Sequence, residues 1–200
     1  MIFVTVGTIH FDDLVRGVDK AVGAGRIHDD VILQIGCGGA YLPHFCRYIH
    51  NAPTLEAFER SADLVIGHGG TGTTIEVLQL GKPLISVSNP GLSDNHQHEF
   101  LEALEAIGLV TYCRNIDDLP TLIAAPPRAM QLPAAGSPLA HEIAARIAGL
   151  NHRRHVQHPA LTRMASLLLR GAELEVSAVL RPVSPPALPT ELLIEPAGHA

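Results

Sequence analysis

The stretch Ala62-Asp-Leu-Val-Ile-Gly-His-Gly-Gly-Thr-Gly-Thr-Thr-Ile-Glu76 decides the fold. A short apolar run, Leu64 to Ile66, breaks into four glycines, Gly67, Gly69, Gly70 and Gly72. An apolar, helix-compatible stretch follows from Thr73 to Leu80 and ends at Gly81. Strand, glycine loop and helix start together make a geometry that binds phosphate. Glycines let the backbone approach an anion, and the first N–H groups of the helix point at it without a competing partner. The ligand this predicts is a nucleotide or a nucleotide-sugar.

Outward from that segment, the first 125 residues alternate strand-like and helix-like stretches with short connections. Ile2 to Val6 and Val31 to Ile35 read as buried strands closed by Gly7 and Gly36. Phe11 to Val22 carries Leu14, Val15, Val18 and Val22 at helical spacing. Further strands are expected at Arg47 to Asn51, Asp63 to Ile66, Pro83 to Val87 and Leu109 to Cys113. Helices are expected at Leu55 to Ala62 (with Thr54 as N-cap), Thr73 to Leu80, Asn95 to Ile107 and Leu119 to Ala124. Near-continuous apolar strands alternating with helices predict an α/β fold, a Rossmann-like parallel sheet with helices on both faces. Ligands of such sheets bind beyond the carboxyl ends of the strands. That edge collects Gly7-Thr8, Gly36-Cys37, the Gly67 to Gly72 loop and Asn89 to Asn95.

Beyond residue 125 the composition shifts. The remainder holds ten of the fifteen prolines and carries a net charge of about +2, against about −8 before it. Three parts are expected: a nucleotide-binding domain over 1–125, a helical extension over 126–158, and a variable, partly disordered tail over 159–200. Ser137 as N-cap and Pro138 at N1 predict a helix to Leu150. Its stripe Leu139, Ile143 and Ile147 either docks on a partner or packs back on the sheet. Leu161 to Leu169 suggests another helix. Order is not expected from Arg181 on, where prolines crowd.

Composition also excludes classes. A formal net charge of −6, with no basic cluster interleaved with aromatics, argues against nucleic-acid binding. Three cysteines without CxxC spacing fit free thiols in a reducing cytoplasm. The N-terminus lacks a signal peptide's pattern, and no run is long enough to span a bilayer.

Individual residues carry the chemistry. Gly67-His-Gly-Gly-Thr-Gly72 matches the dinucleotide G-x-G-x-x-G pattern, a weak signal alone. A nicotinamide enzyme is disfavoured because the loop follows the fourth strand and the next strand ends without an acid for a ribose. Glu76, one helical turn past the loop, is placed to reach ribose hydroxyls. Asp94, Asn95 and Gln97 offer donors and acceptors suited to sugar hydroxyls, while Ser93 or Asp94 also caps the following helix. His96 and His98 lie on different helix faces, so no metal site is expected. His10 is a candidate acid/base group, against the blander reading of a structural histidine. His68 is expected to shape the glycine loop.

Several separated motifs agree with one family. Phe3-Val-Thr-Val-Gly-Thr8, Phe11-Asp12 with Leu14-Val15, Gln34-Ile35-Gly36, the Ala62 to Thr74 segment with Glu76, Gly81-Lys-Pro-Leu84, and Asp94-Asn-His-Gln97 with Glu99 occur in order and with sensible spacing. Over about residues 2 to 125 the chain resembles the glycosyltransferase family 28 C-terminal domain. Within it, the chain is most similar to small donor-binding subunits of two-chain enzymes of exopolysaccharide and dolichol-linked sugar synthesis. The resemblance implies half of an inverting GT-B enzyme that uses a UDP-sugar and needs no cofactor or essential metal. It assigns UDP and phosphate contacts to Gly7, Thr8, Gly69, Gly70, Thr71, Gly72 and Thr73, ribose to Glu76, and the sugar to Asp94, Asn95 and Gln97. Ile9-His10 departs from the small polar residues usual in relatives. The acceptor half, in such systems, is a separate membrane-anchored chain that holds this one at the cytoplasmic face. Glucuronic acid and N-acetylglucosamine are the leading sugars, and Lys82 or Arg114 are the cations nearest in sequence for a uronate. A regulatory subunit that keeps the nucleotide crevice without transferring sugar is the alternative.

Overall fold

A computed structural model describes residues 1–91, 96–153 and 159–170, without the side chains of residues 96 and 150–153. The expectations for Asp94, Asn95 and residues 171–200 lie outside the described residues.

Six strands form one parallel sheet: β1 (Ile2–Thr5), β2 (Val31–Gln34), β3 (Arg47–Ile49), β4 (Leu64–Gly67), β5 (Leu84–Val87) and β6 (Thr111–Cys113). Their order is β3-β2-β1-β4-β5-β6, with Ile2 opposite Val31 on one side and Leu64 on the other. The chain therefore winds outward from β1 to β3, then returns to the far side of β1 as β4. Every residue of β1, β2, β4 and β5 is buried, as a sheet covered on both faces requires.

The period of two along each strand sorts side chains between two cores. Ile2, Val4, Leu33, Ile66 and Ile85 face α1 (Asp12–Gly23) and α5 (Leu119–Ala124). Phe3, Ile32, Val65 and Leu84 face the other way, toward α2 (Glu56–Ser61), α3 (Thr71–Gln79) and α4 (His96–Ala106). There the Phe3 and Phe58 rings stack with centroids 5.2 Å apart.

Two boundaries differ from expectation in ways that matter for the site. Helix α3 starts at Thr71 rather than Thr73, because Gly70 keeps extended backbone and serves as the N-cap. Thr71 and Gly72 thus belong to its first turn. Helix α2 starts at Glu56, and Thr54 Oγ1 accepts from the Glu56 N–H at 3.2 Å.

Helices α6 (Pro138–Arg153) and α7 (Pro159–Leu169) pack on each other and extend the second core. Ser137 Oγ accepts from the Ala140 N–H at 3.1 Å, the expected cap. The buried face is Ala140, Ala144 and Ile147, not the stripe Leu139, Ile143 and Ile147. Leu139 points outward at 56% exposure, Ile143 is half-buried and Ile147 is fully buried. Alanines let α6 approach closely, so Ile147 is core and not a free docking residue. The 158/159 division falls between two helices that share this core.

Candidate functional site

A cleft of about 750 Å³ opens at the carboxyl edge between β1 and β4, where the winding reverses. Six of the sequence-predicted residues line it: Gly7, Thr8, Gly70, Gly72, Thr73 and Glu76. The remaining described ones separate. Gly69, Thr71 and Gln97 line a second cleft of about 350 Å³, walled on its far side by Phe100 of α4 and by Pro159 and Arg163 of α7. Gly70 belongs to both walls, so the amino end of α3 stands between the two spaces. His10 is exposed and lines neither cleft; its carbonyl accepts from Asn89 Nδ2 at 3.3 Å.

Backbone at the reversal point is held by Gln34, a residue to which the sequence gave no role. Its Oε1 accepts from Thr5 Oγ1 at 2.6 Å and from the Gly7 N–H at 3.1 Å. Its Nε2 donates to the carbonyls of Gly7 at 2.8 Å and His50 at 2.9 Å, and to Asn51 Oδ1 at 3.1 Å. One amide thereby ties the exits of β1, β2 and β3 together at the cleft wall. The available signal was a glutamine closing an otherwise apolar strand run.

His68 fills the space between the two glycine turns. A methyl group on Gly70 would lie 2.3 Å from the ring Nε2, and one on Gly7, whose φ is +70°, would lie 2.6 Å from Cε1. Its own N–H donates to the Thr5 carbonyl at 3.1 Å, which pins β4 to β1. Burial depresses the imidazole pKa, so the ring is neutral at pH 7. It shapes the loop as packing.

The cations nearest in sequence are occupied elsewhere. Lys82 Nζ donates to the Ala62 carbonyl at 2.9 Å, on the amino side of β4. Arg114 pairs with Glu105 at 2.7 Å and lies over the Tyr112 ring. The cation that lines a cleft is Arg163, which comes from a stretch where the sequence offered no ligand cue. His98 faces the Tyr112 hydroxyl at 2.6 Å and Glu102 at 3.2 Å. Among the described residues, no three His, Cys, Asp or Glu side chains cluster as metal ligands, and no helix is long and apolar enough to cross a membrane.

One acidic residue of the larger cleft escaped the sequence reading. Glu59 on α2 is 2% exposed. Burial first, then the charges of Glu76 and Glu56, push its carboxyl up from 4.5 to about 7. The folded carboxyl therefore holds its proton more tightly than the unfolded one. The stability this contributes is complete below pH 4.5 and is lost as pH rises through about 7. Glu59→Gln is expected to flatten that slope in urea titrations at pH 5 and 7.5; an unchanged slope would assign it to other groups.

A parallel sheet with β3-β2-β1-β4-β5-β6 order and a glycine-lined crevice at its reversal point defines a Rossmann-like nucleotide-binding domain. MurG of Acinetobacter baumannii has a similar fold, with a TM-score of 0.51 and 19% identity over 84% of this chain and 48% of that one. The chain belongs to the glycosyltransferase family 28 C-terminal domain family, whose model matches residues 1–128. The UDP-N-acetylglucosamine transferase subunit ALG13 of Homo sapiens is 37% identical over 125 residues, 56% of this chain and 11% of that protein. Its namesake in Candida glabrata is 35% identical over 129 residues, 64% of this chain and 52% of that protein. The chain thus spans about half of the yeast relative and about a ninth of the human one.

Proposed function

We propose that this chain is the donor-binding subunit of a two-chain inverting glycosyltransferase. It moves a sugar from a UDP-sugar to a lipid-linked acceptor in exopolysaccharide or glycolipid synthesis. The observation that carries this reading is Gly70 standing between two clefts at the amino end of α3. A nucleoside diphosphate sugar has the matching layout. The nucleoside occupies the larger cleft, with its ribose at Glu76. The diphosphate lies over Gly70, and the sugar enters the smaller cleft beside Gln97 and Arg163. The sugar-side role of Asp94 and Asn95 rests on the motif alone. Relatives named as UDP-N-acetylglucosamine transferase subunits make UDP-N-acetylglucosamine the first donor to test.

In the reaction, an acceptor hydroxyl oxygen attacks C1 of the sugar as the bond from C1 to the diphosphate oxygen breaks. UDP departs with that electron pair, and the hydroxyl proton passes to a base on the membrane-anchored partner. The free N–H groups of α3's first turn and the Thr71 and Thr73 hydroxyls meet the growing negative charge. A helix terminus contributes up to about 2 kcal/mol, and each well-placed donor about 3 kcal/mol.

Calorimetric titration tests the reading. The chain is expected to bind UDP and not NADH, and Glu76→Ala to weaken UDP about tenfold through lost ribose hydrogen bonds. No heat with UDP would overturn the proposal; unchanged affinity in the variant would remove the ribose role.

A further inference from the structure

Glu59 has no protein group to satisfy it. Its side chain forms part of the wall of the larger cleft, it is 98% buried on the 2% exposure above, and Oε1 receives no hydrogen bond from any described residue. The nearby cation, Arg60, is engaged by Glu56 at 2.7 Å. Across the cleft stands Glu76 on α3, close enough for its charge to act on Glu59, yet no hydrogen bond joins the two carboxyls. Two acidic side chains thus face one gap from opposite walls, with Glu56 beside them and no cation between them. Solvation alone would place a carboxyl outside such a wall, and an apolar residue would fill the position at lower cost.

We propose that Glu59 is a second ribose-recognition residue, which closes on the vicinal diol of the nucleotide from α2 while Glu76 holds it from α3. One hydroxyl donates to Glu76 and the other to Oε1 of Glu59, the atom left bare in the free protein. A diol meets the requirement because it brings two donors at fixed separation into a gap that offers only acceptors. The carboxyl raised to about 7 also relieves repulsion from Glu76, since the protonated form of Glu59 still presents a carbonyl acceptor. The inference rests on the reading of the larger cleft as a nucleoside site.

Calorimetry with UDP and 2′,3′-dideoxy-UDP, on the full chain and on Glu59→Leu and Glu59→Gln, separates the two ideas. Glu59→Leu is expected to melt higher than the parent, because a buried unpartnered carboxyl is gone, and to bind UDP about tenfold more weakly. With the dideoxy compound, that loss should vanish. Glu59→Gln keeps a neutral acceptor and should stay within about threefold of the parent for UDP. Parental affinity in Glu59→Leu, or an equal loss for both nucleotides, would overturn the diol contact and leave the nucleoside site standing. Equal losses would direct attention to the base. A parent chain that binds no UDP would overturn both.

Discussion

Gln34→Leu is expected to cost about 3–5 kcal/mol of folding stability, the range for breaking a buried hydrogen-bond network. The reason is the number of groups stranded at once. The Gly7 and His50 carbonyls and Asn51 Oδ1 lose the same donor, and Thr5 loses its acceptor. Leucine fills the volume but supplies none of these contacts. Gln34→Glu sharpens the test: it preserves shape while placing an oxygen against three other oxygens, so it should be about as damaging as leucine. Urea unfolding of the three proteins gives the comparison. Losses under about 1 kcal/mol in both variants would mean that water replaces the amide, which contradicts the packing. Because Gly7 lines the larger cleft, the surviving folded fraction should also bind UDP less tightly.

Sugar transfer by the purified chain should be at least about 100-fold slower than transfer after the membrane-anchored acceptor half is added, the scale of one missing general base. Neither cleft of the described residues offers that base in an accessible, titratable form. His68 is neutral and packed between Gly7 and Gly70, while His10 stands outside both clefts. Radiolabelled transfer into lipid extract, with and without the co-expressed partner, measures the ratio. Equal rates would place the base in this chain. Tight UDP binding with no transfer under either condition would instead favour a regulatory subunit.

Much of the architecture was legible because it follows from local patterns. Apolar runs such as Val31 to Ile35 have no reading but a buried strand, and the glycines after Ile66 mark where β4 gives way to α3. Half of the site was legible for the same reason, since Gly70, Thr73 and Glu76 lie on one continuous segment. What the sequence hid depends on contacts between distant segments. Glu59 sits in a six-residue helix beside Glu56 and Arg60, and looks like any solvated acid until α3 closes over it. The stripe on α6 was misjudged because large side chains draw attention, whereas Ala140 and Ala144 make the contact. That Gly69 and Gly70 face different spaces is a property of the turn, and no spacing rule conveys it.

The family match stops at residue 128, but the second hydrophobic core does not. Ile147, Leu161, Met164 and Leu168 cover the same apolar layer as Phe100, Leu101 and Leu104. A recombinant fragment trimmed to the conserved module would bare that layer to water and strip Arg163 from the rim of the smaller cleft. Self-association of such a fragment would then reflect where the cut was made, not how the native polypeptide behaves. For any expression design, the working unit extends at least through Arg170.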